Sequence, residues 1–239
     1  MGTRGLYGFR KNGIDKTTYN HFDSYPDYLG NIMVEFCQKT SIAEMNEIFD
    51  RIVLVEEGSE PTKRQILECM EFYDGSVSNQ TPEDWYCLLR NAQGNPNVYK
   101  HGLNYMIDNH EFIKDSLFCE YAYIINLDEN CLEFWLGFQK EPDEDNRYGT
   151  ETSDNMDKYY PCKMIAEYEL DTIDKYSTQS IVDSMNAKAN GDEDVELVEP
   201  EDYRDVTEDD LVDIGEDIKR GFTSGTLDNG IEWELKFDI

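Results

Sequence analysis

Thr3 and Arg4, followed by Tyr19, Asn20, His21, Asp23, Ser24 and Tyr25, gather hydroxyls, a guanidinium, phenols, an amide, an imidazole and a carboxylate into two short stretches. An imidazole with a carboxylate two residues on is a pairing that orients a base, and a guanidinium nearby holds an anion. The chemistry on offer is recognition of an anionic or amide group, with Arg4 and His21 placing it and Asp23 orienting His21. Asn, Asp and Ser after a strand are also ordinary loop formers, and His21 and Tyr25 pack equally well against a core, so a structural reading stands beside the functional one.

Other chemistry is sparse. The chain has no G-x-S-x-G, no G-x-x-x-x-G-K-[ST] and no H-E-x-x-H. Asp108-Asn109-His110-Glu111 sets a histidine between acids, a pattern met more often at a solvated helix end than at a metal. Cys37, Cys69, Cys87, Cys119, Cys131 and Cys162 stand singly among apolar neighbours, which predicts reduced, buried thiols. The acidic runs lack the spacing of a calcium loop. Neither a metal nor a cofactor is expected.

The elements that position the first constellation are legible. Leu6, Tyr7 and Phe9 lead into Asn12-Gly13, the strongest two-residue turn signal, and Ile14 to Tyr19 lead out, which predicts a hairpin. That hairpin returns His21–Tyr25 to the end of the sheet where Thr3 and Arg4 begin. Apolar spacing predicts a helix from about Asp27 through Cys37, and Ser41-Ile42-Ala43-Glu44 reads as a capping box opening a second. Ile52–Val55 reads as a short buried strand. Pro61 is expected as the first residue of a helix reaching Phe72, and Thr81 as the cap of another carrying Trp85, Leu88 and Leu89. A helical stretch is expected over 103–118. Tyr121–Leu127 and Leu132–Phe138 predict a central hairpin, Met164–Leu170 a strand, and 173–188 a helix. The fold class is α+β, mainly antiparallel sheet with packed helices. A main domain of 1–189 is expected, then an acidic linker of 190–206, then an acidic helix and a C-terminal strand in 207–239 packing on the main domain.

Charge is the outlying property: 21 Lys and Arg against 52 Asp and Glu give −31, and residues 191–239 alone hold 18 acids and 4 bases. Such a surface repels nucleic acid and anionic lipid, so neither nucleic acid nor membrane is expected as a direct partner. Basic proteins are the natural partners. Glu141, Asp143, Glu144, Asp145, Asp192, Glu193, Asp194, Glu208, Asp209 and Asp210 are the expected interaction acids. No apolar run approaches the ~20 residues of a membrane span and the opening lacks a signal-peptide pattern, so a cytoplasmic location is expected.

Thr3-Arg4-Gly5 with Tyr19-Asn20-His21-Phe22-Asp23-Ser24-Tyr25-Pro26, and later Phe118–Asp128 and Tyr159-Tyr160-Pro161-Cys162, resemble an uncharacterised family met in bacteria, prophages and phages. The likeness covers about residues 1–170 and carries no activity. It implies a context in which accessory proteins inhibit host defence and acidity is a frequent device. Asn20-His21-Phe22-Asp23 also resembles the Asn-Xaa-Asp segment of N-terminal nucleophile hydrolases of the bile-salt hydrolase kind, which implies a degenerate sandwich of that type. Gly2 departs from that pattern, because it offers no thiol or hydroxyl to attack.

Two functions follow as expectations. The first is an acidic interaction protein that inhibits a host protein by occupying a positively charged, nucleic-acid-binding site in the manner of a phosphate mimic. The second is a small-ligand binder or amidohydrolase-like enzyme built on the first hairpin.

Overall fold

The computed structural model describes residues 2–152, 158–192, 195–200, 224–226 and 232–234. The chain opens with β1 (Gly5–Lys11) and β2 (Ile14–Asn20), paired antiparallel with Lys11 opposite Ile14. Asn12 (φ 53°) and Gly13 (φ 72°) both take the left-handed region, as the expected two-residue turn requires. A short turn over Pro26–Gly30 runs into α1 (Asn31–Gln38), then α2 (Ile42–Arg51) and β3 (Val53–Val55). Next come α3 (Lys63–Cys69), α4 (Trp85–Leu88), α5 (Asn97–Lys100) and β4 (Tyr105–Ile107). The first unit ends with β5 (Tyr121–Asn126), β6 (Cys131–Leu136), β7 (Lys163–Glu169) and α6 (Thr178–Asn190).

Five strands form one sheet in the order β2-β1-β5-β6-β7, antiparallel throughout except for the parallel pair β1 and β5, in which Gly5 stands opposite Tyr121. The α+β reading holds. The described residues contain one large sheet, so the second sheet of a hydrolase-type sandwich is not formed among them.

Period-two alternation gives the sheet two different faces. Tyr7, Phe9, Tyr123, Ile125, Leu132 and Phe134 point into the main core beneath α1, α2 and α6, with Phe134 stacked on Tyr123 at 5.3 Å. Leu6, Ala122, Ile124 and Trp135 point the other way, into a smaller cluster with Ile113, Cys119 and Cys162. All six cysteines are buried and free, as their apolar surroundings predict.

Several local expectations are corrected. Residues 103–118 do not form one helix: Tyr105–Ile107 pairs in parallel with Val53–Val55, and only His110–Lys114 makes a tight helical turn. Apolar content without a sustained 3.6-residue period left that stretch free to meet β3. Val53 itself is 51% exposed, so β3 is not a buried strand. α3 begins at Lys63 rather than Pro61, and Thr62 caps it, forming a reciprocal box with Gln65. Asp84 rather than Thr81 caps α4, accepting from the Tyr86 and Cys87 amides. Ser41 accepts from the Glu44 amide as expected, whereas the Glu44 carboxylate lies 3.5 Å from Lys100.

The first compact unit extends through Glu199. Beyond α6, closed by Gly191 at φ 74°, Val198 accepts from the Ser177 amide at 2.8 Å and Leu197 packs on the core. Part of the expected linker is therefore docked. In the second unit, Pro200–Ile239, β8 (Ser224–Thr226) pairs antiparallel with β9 (Glu232–Glu234), within the strand expected there. The acidic helix expected after Thr207 lies outside the described residues. No helix among the described residues is long and apolar enough to cross a membrane.

Candidate functional site

The sheet topology builds a cleft at one end. Parallel β1 and β5 both start there, and antiparallel β2 and β6 both finish there, so the residues flanking four strands converge. Gly2, Thr3 and Arg4 lead into β1 and His21 follows β2; Leu117, Phe118 and Glu120 lead into β5 and Phe138 follows β6. Together they line an open cleft of about 370 Å³.

Backbone hydrogen bonds fix its walls. The Ser24 amide donates to Thr3 O at 3.2 Å and the Glu120 amide to Arg4 O at 3.1 Å. Glu120 returns the contact, its carboxylate accepting from the Arg4 amide at 3.1 Å. Gly137 approaches the opposite wall so closely that a Cβ would lie 2.1 Å from Cys119 O. Phe138 follows at φ 58°, with its amide donating to Ser116 O at 2.7 Å.

Arg4 lays its guanidinium 5.2 Å from the Phe118 ring centre, a cation–π distance. Among the described residues no carboxylate lies within ion-pair reach of that guanidinium. His21 holds its Nδ1 2.7 Å from the Tyr19 hydroxyl and its ring 4.3 Å from Phe22. Burial first, and then the positive fields of Arg90 and Arg4, hold the His21 pKa below its ordinary 6.5. The imidazole is neutral at pH 7 and keeps a ring nitrogen for a ligand.

The other expected residues take supporting places. Tyr19, not Asp23, orients His21; Asp23 sits at φ 53° and its carbonyl accepts from the Leu29 amide. A residue in the left-handed region redirects the chain, which is why the carboxylate does not fall beside the imidazole. Asn20 is buried, with its side-chain amide donating to Ser24 Oγ at 2.8 Å, and Ser24 is fully buried. Tyr25 contributes its carbonyl, which accepts from the Tyr28 and Gly30 amides, and is not part of the cleft. Thr3 lines the cleft.

Among the expected interaction acids, Glu141, Glu144, Asp145 and Asp192 are exposed. Asp143 is half-buried, accepts from the Asp145 amide at 3.2 Å and lies 3.9 Å from Lys163. Glu193, Asp194, Glu208, Asp209 and Asp210 lie outside the described residues. Among the described residues no cluster of His, Cys, Asp and Glu has the proximity to hold a metal.

Sequence reasoning missed the aromatic walls. Phe118 and Phe138 are 42% and 50% exposed, and both were absorbed into expected helix or strand. It also missed an ion pair to a buried carboxylate, Glu133, on the second face of the sheet. Arg147 grips Glu133 with two bonds of 2.6 and 2.5 Å, while Asn126 and Trp135 donate to the same carboxylate at 2.7 and 2.9 Å. The available signal was Arg147 as the one base between Lys140 and Lys158 in an otherwise acidic run.

No known protein family, curated protein or solved structure matches this chain.

Proposed function

We propose that this protein binds a small ligand at the Arg4 cleft, taking an anionic group against the guanidinium and His21 and an apolar part against Phe118 and Phe138. The observation that supports it is the Arg4 guanidinium: acids outnumber bases 52 to 21, yet this cation rests on a ring and faces open volume. An exposed ring beside an unpaired cation suits a ligand with one polar end and one apolar end. Binding is the reading because, among the described residues, the partner of His21 Nδ1 is the Tyr19 hydroxyl and not a carboxylate.

Calorimetric titration with octanoate tests this. Arg4→Ala weakens binding about tenfold or more, as expected for a charge-assisted hydrogen bond, and Arg4→Lys falls between. Equal affinity in wild type and Arg4→Ala defeats the reading.

A second reading has its own support in the Glu141–Asp145 loop, where Glu141, Glu144 and Asp145 are exposed. On that reading the protein inhibits a host defence protein by covering a basic, nucleic-acid-binding surface. In a competition assay it displaces duplex DNA from a basic DNA-binding protein. That displacement fades as salt rises and when Glu141, Glu144 and Asp145 become amides. Displacement indifferent to salt argues against it.

A further inference from the structure

Arg4 has a counterpart. Arg90 follows α4 on a tight turn, with its guanidinium 5.2 Å from the Phe22 ring centre and 5.8 Å from that of Tyr86. Its one hydrogen-bonded side-chain partner is an amide, Gln93 Oε1 at 2.6 Å, and among the described residues it has no carboxylate within ion-pair distance. The Asp74 carboxylate, which feels Arg90, is engaged by the Ser76 amide and hydroxyl at 2.8 and 2.6 Å.

Phe22 links the two arginines. Its ring centre lies 5.2 Å from the Arg90 guanidinium and 4.3 Å from the His21 ring, and Gly2 presses so close that a Cβ there would lie 2.3 Å from Phe22 Cδ1. Arg90, Phe22 and His21 are joined by successive ring contacts, and His21 lines the same cleft as Arg4 and Phe118. Phe22 is 49% exposed, an apolar step between two cations.

We propose that the site is bivalent, with Arg4 and Arg90 taking the two ends of an elongated dianion whose apolar middle lies along Phe22. This rests on the Arg4 reading and adds the second anchor. Two guanidiniums held on rings, in a chain with carboxylates to spare, are cations kept free for an external anion pair. The ligand is a small molecule rather than a polyanion strand, because the net charge of −31 repels each added phosphate while a dianion meets the two arginines at short range. Straight-chain dicarboxylates carry this chemistry.

Titration of wild type, Arg4→Ala and Arg90→Ala with octanoate and with dicarboxylates from succinate to sebacate tests the proposal, with circular dichroism confirming that each variant is folded. At its best length the dicarboxylate binds about tenfold tighter than octanoate, the increment of one further charge-assisted contact. Arg90→Ala removes that gain, so that within this variant the dicarboxylate binds no tighter than octanoate, while Arg4→Ala weakens both. If every dicarboxylate binds no tighter than octanoate, or if Arg90→Ala leaves the gain intact, bivalence is overturned while the Arg4 reading survives. If octanoate and all the dicarboxylates fail to bind at millimolar concentration, both fall.

Discussion

His21 is the side chain whose ionisation reports on the cleft. Burial, Arg90 and Arg4 depress its pKa below 6.5, so a bound anion, by offsetting the two arginines, raises it and draws in a proton. Octanoate affinity therefore increases as pH falls from about 7 to about 6, where octanoate is still ionised, and His21→Phe flattens that rise; titration in buffers of different ionisation enthalpy counts the proton. Stability without ligand moves the other way. The neutral imidazole contributes fully above the unfolded value of 6.5, and the contribution is lost as pH falls through the lower folded value. Arg147 supplies the other residue-scale test. Glu133 is 2% exposed, so Arg147→Ala leaves a carboxylate buried without its cation and costs about 3–5 kcal/mol in urea unfolding. Adding Glu133→Gln to that variant recovers part of the loss; a cost for Arg147→Ala alone below about 1 kcal/mol means the pair is solvated. Neither role was legible in composition. A histidine two residues from an aspartate suggested one partner, and the backbone at Asp23 delivered another.

Elements whose signal is local were legible, and elements completed by distant partners were not. The Asn12-Gly13 turn, the β5–β6 hairpin and the Ser41 cap each depend on residues within a few positions, and each forms as expected. The stretch 103–118 goes wrong because Tyr105–Ile107 is a strand only through Val53–Val55, some fifty residues earlier. Caps shifted for a similar reason: Thr62 and Asp84 each compete with a nearby Pro-based start, and each wins by satisfying two orphan amides, Thr62 through its reciprocal box with Gln65 and Asp84 through its own carboxylate. The cleft depends on one backbone irregularity at this scale. Phe138 holds φ 58° at the end of β6, a conformation that is uncommon for a bulky residue and costs about 1 kcal/mol or more. Asn tolerates that region, so Phe138→Asn leaves thermal stability equal or slightly higher while octanoate binding weakens. A variant that loses both stability and binding would show that the ring, half-exposed though it is, holds the wall in place.

Across the whole molecule, charge dominates. The described ion pairs engage few of the acids, and one of them, Glu133 with Arg147, involves a buried carboxylate. Screening therefore stabilises: raising sodium chloride from about 0.05 to 0.5 M lifts the melting temperature by a few degrees, measured by calorimetry, and an unchanged or lower value shows that the carboxylates are too dispersed to repel. The hairpins of the sheet could be read from the sequence, but its closing pair could not, since Gly5 meets Tyr121 across most of the first unit. That parallel pair also sets an order of events during synthesis. A ribosome adding roughly 5–20 residues per second spends several seconds on the hundred or so residues that separate β1 from β5. Through that interval the inner edge of β1 has no strand beside it, and Tyr7 and Phe9 lack the Tyr123 and Ile125 that will flank them. A nascent chain halted before Tyr121 is thus the form that sticks to its neighbours, and the one a chaperone would hold longest.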